Sequence, residues 1–108
     1  MTYPVRLTSA AWRDLEEICV WIAEHDCPEN AGRVLDRLSE TAQSIAALSQ
    51  RGSRPEELPR GMEGEFRQVF FKPYRVIYEV TRNEVVIHLV ADGRRNLQSL
   101  LFRRLMGG

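Results

Sequence analysis

Phe66-Arg67-Gln68-Val69-Phe70-Phe71-Lys72-Pro73-Tyr74-Arg75-Val76-Ile77-Tyr78-Glu79-Val80 is followed, after Thr81-Arg82-Asn83-Glu84, by Val85-Val86-Ile87-His88-Leu89-Val90-Ala91. The stretch divides into runs at 66–71, 74–80 and 85–91 that are rich in aromatic and β-branched residues, with turn formers between them. Such side chains suit a pleated, half-buried surface. Lys72-Pro73 separates the first two runs, and Arg82-Asn83 supplies a hairpin tip between the second and third. Connections this short imply an antiparallel three-stranded meander.

With Arg82-Asn83 at the tip, Val80 falls opposite Val85, Tyr78 opposite Ile87, Ile77 opposite His88 and Arg75 opposite Val90. Side chains alternate across a sheet. One face then carries Val76, Tyr78, Val80, Val85, Ile87 and Leu89, a natural core. The other carries Arg75, Ile77, Glu79, Val86, His88 and Val90, beside a strand end that leads into Arg94-Arg95. On this second face Arg75, His88, Arg94 and Arg95, joined by Arg67, can be read as an anion-binding or acid–base site. A plainer reading pairs Arg75 with Glu79 or Glu84 and leaves His88 as a polar residue on a half-exposed strand. A one-residue slip of register would move every one of these side chains to the other face.

Upstream, residues 3–7 alternate as a short strand, with Pro4 at a position that suits an edge or a strand start. Thr8 or Ser9 can cap a helix whose apolar stripe is Trp12, Leu15, Ile18, Cys19 and Ile22, widened by Trp21. Pro28 fits the first position of a second helix, where its missing N–H costs nothing. Ala31, Val34, Leu35, Leu38, Ile45 and Leu48 carry that helix to about Gln50. The short joint makes the two an antiparallel hairpin. Residues 51–64 hold Gly52, Pro55, Pro59, Gly61 and Gly64 and read as a loop, with a turn near Glu56-Glu57-Leu58. After the turn Asp92-Gly93, Leu97, Leu100, Leu101 and Leu105 mark a final helix. The order strand, helix, helix, three strands, helix is α+β: an antiparallel or mixed sheet with helices on one face.

A chain of 108 residues accommodates one domain, taken here as 1–108. Its 15 basic and 15 acidic residues cancel, but not locally. Residues 1–57 carry 6 Arg against 10 Asp and Glu, and residues 58–108 carry 9 Lys and Arg against 5 acids. A basic C-terminal half suggests an anionic contact. No run of about 18 apolar residues could cross a membrane, and the first seven residues lack the apolar core of a signal peptide. Cys19 and Cys27 read as free thiols, so the expected compartment is the cytoplasm. With only His25 near them they make a poor metal set, and no metal or cofactor is expected. The sequence offers no glycine-rich phosphate loop, paired catalytic carboxylates or Ser/His/Asp arrangement.

The ordered segments carry a resemblance. Residues 72–80, then 85–90, then Asp92-Gly93-Arg94-Arg95-Asn96-Leu97 resemble the central strands and final step of the RelE/ParE toxin superfamily. Ala11-Trp12-Arg13-Asp14-Leu15-Glu16-Glu17-Ile18 with Trp21-Ile22-Ala23 is similar to the first helix of its ParE-like members. The resemblance implies a type II toxin with a cognate antitoxin as partner. RelE-like members cut messenger RNA on the ribosome, whereas ParE-like members poison DNA gyrase. If the chain were a ribonuclease, Arg75, His88 and Arg95 would be its catalytic candidates: Arg75 and Arg95 match RelE arginines by position. The RelE-like catalytic Tyr, however, would fall at about Leu101, and the second-strand lysines are matched only by Arg67.

Cleavage by 2′-OH attack needs a proton acceptor and a donor besides charge stabilisation. Arginines are poor proton shuttles, which leaves His88, away from the family's catalytic place. Together with the long helical hairpin, this favours the ParE-like branch and gyrase. Two further functions stay open: a ribosome-dependent endoribonuclease acting on messenger RNA, and a weakly toxic member serving as antitoxin partner and co-repressor. In all three, Arg67, Arg75, His88, Arg94 and Arg95 are the candidate residues for contact with target or antitoxin.

Overall fold

Thr8 adopts an extended backbone and its side chain accepts a hydrogen bond from the Ala11 N–H at 3.1 Å, which starts the first helix where the sequence places it. In the computed structural model, which describes residues 3–106, the elements are β1 (Val5–Leu7), α1 (Ser9–His25), α2 (Pro28–Ala47), β2 (Glu65–Phe71), β3 (Tyr74–Val80), β4 (Val85–Asp92) and α3 (Leu97–Leu105). The first and last two residues of the 1–108 domain reading lie outside the described residues. Pro28 opens α2, and α2 stops at Ala47, short of the expected Gln50. Asn96 caps α3 through its side-chain oxygen. No helix among the described residues is long and apolar enough to cross a membrane.

The meander forms as expected, and β1 joins it to make a four-stranded mixed sheet in the order β1-β4-β3-β2. β1 runs parallel to β4 and covers only Val85 to Ile87. From the hairpin tip the β3–β4 register is the expected one, Val80 opposite Val85 and Tyr78 opposite Ile87. There it shifts. Ile77 lies opposite Leu89 and Arg75 opposite Ala91, so His88 is an extra residue, a β-bulge.

The bulge corrects the face assignment. Val90, expected beside Arg75, packs instead with Val76, Tyr78, Val85 and Ile87 against the α1–α2 hairpin. Leu89, expected in that core, packs with Ile77, Ala91, Leu97 and Leu101 under α3. Helices therefore cover both faces of the sheet rather than one. The cause lies in β4, which is apolar on both sides and would leave Leu89 and Ala91 in water without α3. Ile77, Val86 and Val90, which the expected register places together on the second face, are all buried.

Tyr78 ties the loop between α2 and β2 to the core. Its hydroxyl donates to the Ser49 carbonyl at 2.9 Å and accepts from the Gly52 N–H at 3.2 Å. A Cβ at residue 52 would press into the Gln68 carbonyl, which is why the close approach uses glycine.

Candidate functional site

The five candidate residues separate into three environments. Arg67 leaves β2 on the face opposite Gln68. Its guanidinium donates to the Gln50 carbonyl at 3.1 Å, to the Gly52 carbonyl, and to Glu65 at 3.3 Å, holding the loop after α2. The sheet itself separates it from Arg75.

Arg75 lies on the α3 face and is only 8% exposed. It does not pair with Glu79 or Glu84. Its two terminal nitrogens donate to both carboxylate oxygens of Glu57 at 2.6 and 2.8 Å, and its Nε donates to Gln68 Oε1 at 2.9 Å. The guanidinium also lies over the Phe70 ring, 5.6 Å from its centroid. Gly93 leaves room for the stem: a Cβ there would meet Arg75 Cδ at 3.2 Å. Such a bidentate pair is among the stronger charge-assisted contacts.

The hydrogen bond from Arg75 holds the Glu57 carboxyl below its usual range, against a smaller opposing effect of burial. A depressed carboxylate stabilises the fold above its unfolded value, and that stabilisation fades as pH falls through the folded value. Glu57→Gln should therefore be less stable than the parent at neutral pH. The gap between them should begin to narrow as pH falls below the ordinary glutamate value of about 4.3, and should close only once pH has passed below the depressed folded value. Thermal unfolding at intervals from about pH 7 to pH 3 checks this; a gap independent of pH would remove the charge from the explanation.

His88, the bulged residue, shares the Arg75 face. Its Nε2 lies 3.0 Å from Glu79 Oε1 and its ring tilts against Phe66, centroids 5.8 Å apart. Arg94 and Arg95 follow the end of β4. Arg94 is bound to Asp92 by its backbone N–H at 2.9 Å and by its Nη2 at 2.6 Å. These bonds pull the Asp92 carboxyl down to about 2. The Arg95 side chain is exposed and has no hydrogen-bond or ion-pair partner among the described residues.

Both arginines rim a groove of about 560 Å³ between the end of β4 and α1, walled by Ile18, Trp21, Tyr74 and Asp92. Trp21 is 60% exposed and stacks on His25 at 4.4 Å. Trp12, Val20 and Leu35 add further exposed apolar surface to the helical hairpin, so Trp12 lies outside the core that its stripe suggested. Cys19 and Cys27 are free and half-buried, and burial pushes the Cys19 thiol up. Among the described residues no cluster of potential metal ligands occurs.

Three residues escaped the sequence reading. Asp14 of α1 and Arg104 of α3 form an ion pair at 2.8 Å that crosses the end of the sheet. Asp14 lies three residues after Ala11 and four before Ile18, on the inward face of α1. A carboxylate in an apolar stripe is a signal for a buried partner. Glu57, in a loop, carries no such signal.

The model of the family described as "ParE toxin of type II toxin-antitoxin system, parDE" matches residues 5–97. The chain belongs to this toxin family. Its fold is also that of a solved structure described as the chromosomal ParDE TA system from P. aeruginosa, with a TM-score of 0.70 at 20% identity over 84% of this chain and 96% of that one. No curated protein matches it by sequence. The family match ends at Leu97, so α3 lies almost wholly beyond it. Trp12 and Trp21 thus stand exposed on the hairpin, the Arg95 guanidinium at the groove has no partner among the described residues, and Arg75 is saturated from within the fold.

Proposed function

We propose that this chain is the growth-inhibiting member of a toxin–antitoxin module, acting in the cytoplasm by poisoning DNA gyrase and neutralised by a cognate antitoxin. The observation that carries the reading is the family match across residues 5–97. The geometry on the sheet supports it. Arg75 is saturated by Glu57 and Gln68, and so is not offered to a phosphodiester. Leu101, where a RelE-like Tyr would fall, is fully buried. Proton transfer to or from RNA needs a group within hydrogen-bond reach of it. The exposed apolar residues Trp12, Val20, Trp21 and Leu35 suit a partner segment that is disordered when free and folds on docking.

Induced expression is expected to cause filamentation and DNA-damage signalling while protein synthesis at first continues. The purified chain should inhibit supercoiling by gyrase or trap its cleaved complex, and co-purified antitoxin should relieve the effect. Messenger RNA cut at codon positions on programmed ribosomes, and no longer cut by His88→Ala, would overturn the proposal.

A further inference from the structure

Beyond Ile87, β4 has lost β1 as its neighbour, and its outer edge is treated in two different ways. The first outward groups are capped by side chains. Asp14 Oδ2 accepts from the Val90 N–H at 3.0 Å, and Arg104 donates to the His88 carbonyl at 2.7 Å. Capping of this kind blocks pairing with another chain. The next outward groups follow from the alternation of the strand. Gly93 N–H bonds back to Pro73, and Ala91 pairs with Arg75, so both face β3. Val90 C=O and Asp92 N–H therefore face away from the sheet, and neither has a hydrogen-bond partner among the described residues. This uncapped acceptor and donor lie on the wall of the groove that Ile18, Trp21 and Arg95 border.

We infer that the edge of β4 at Val90 and Asp92 receives an extended segment of the partner protein as an added strand, with a carboxylate of that segment on Arg95. This rests on the reading that an antitoxin holds the chain. The backbone pair supplies the two hydrogen bonds of strand addition, and flanking pockets supply side-chain preference. Charge specifies the segment further. Among the groove's ionic groups Asp14 is neutralised by Arg104 and Asp92 by Arg94. Arg95 and, on the α1 wall, Glu17 have no ion-pair partner among the described residues. A uniformly acidic segment would meet Glu17. One with an acid near Arg95 and an apolar residue against Trp21 and Ile18 meets neither penalty.

The test uses the full chain co-purified with the protein encoded by the adjoining reading frame. Residue-resolved amide exchange should show the Asp92 N–H protected in the complex and open in the free chain. Asp92→Pro, which deletes that N–H, should bind several-fold more weakly than Asp92→Ala, which keeps it but also loses the carboxylate. Arg95→Glu should weaken binding by about tenfold to a hundredfold. Unchanged melting temperatures would exclude misfolding, and the exchange measurement needs no variant. A complex in which Asp92 exchanges as in the free chain and Arg95→Glu binds normally overturns the added strand but leaves the toxin–antitoxin reading standing. Absence of any complex overturns both.

Discussion

Asp14→Ala or Arg104→Ala is expected to lose about 3–5 kcal/mol of stability, because removing one partner strands a mostly buried charge. The two side chains are 12% and 17% exposed. Asp14 receives the guanidinium at 2.8 and 3.0 Å, accepts the Val90 N–H, and Arg104 also holds the His88 carbonyl. The pair thus does three things at once: it joins α1 to α3 around the end of the sheet, satisfies both backbone groups that the bulge would leave open, and closes that part of the edge. Loss of either residue also leaves one of these backbone groups without its partner. In a domain of this size the melting temperature should fall by roughly 15 °C. The double substitution Asp14→Leu with Arg104→Met removes both charges together and should recover much of the loss. Single variants that melt within about two degrees of the parent would show that water replaces the pair at little cost.

Much of the fold was legible because it is written in local signals. Thr8 and Pro28 stand at helix starts, and Arg82-Asn83 sets a hairpin whose register holds as far as Ile87. The bulge at His88 was not legible. No glycine or proline marks it in 85–91, and its backbone groups are satisfied by Asp14 and Arg104, 76 and 16 residues away. Everything downstream of that one residue changed sides, including Leu89 and Val90. The candidate site shows the same division. Arg75 and His88 do share a face, as alternation requires, and Arg94 and Arg95 do sit at the strand's end. What Arg75 does there depends on Glu57, brought in by a loop whose path no periodicity describes. The apolar character of β4 on both faces was the available hint that α3 would cover the second one.

Leu101→Ala is expected to cost about 2–5 kcal/mol, the range for a large aliphatic side chain truncated in a packed core. The position tests whether α3 is built for packing or for chemistry. Its resemblance to the place of a RelE-like catalytic Tyr implies a side chain reaching the second sheet face to shuttle a proton. Instead Leu101 is fully buried among Ile77, Leu89, Ala91 and Leu97, and the exposed residues of α3 are Gln98, Ser99, Phe102 and Arg103. Leu101→Met, which conserves volume, should cost less than about 1.5 kcal/mol. Leu101→Tyr should cost about 1–3 kcal/mol through overpacking, with a hydroxyl to accommodate besides. It should confer no cleavage of messenger RNA, because the position is buried in packed core and the arginine on that face is already held by Glu57. Denaturant unfolding of the three variants gives the order Met, Tyr, Ala if the position belongs to the core. An alanine variant as stable as the parent would mean that α3 swings clear of the sheet in solution, and would return Leu101 to the surface where chemistry is done.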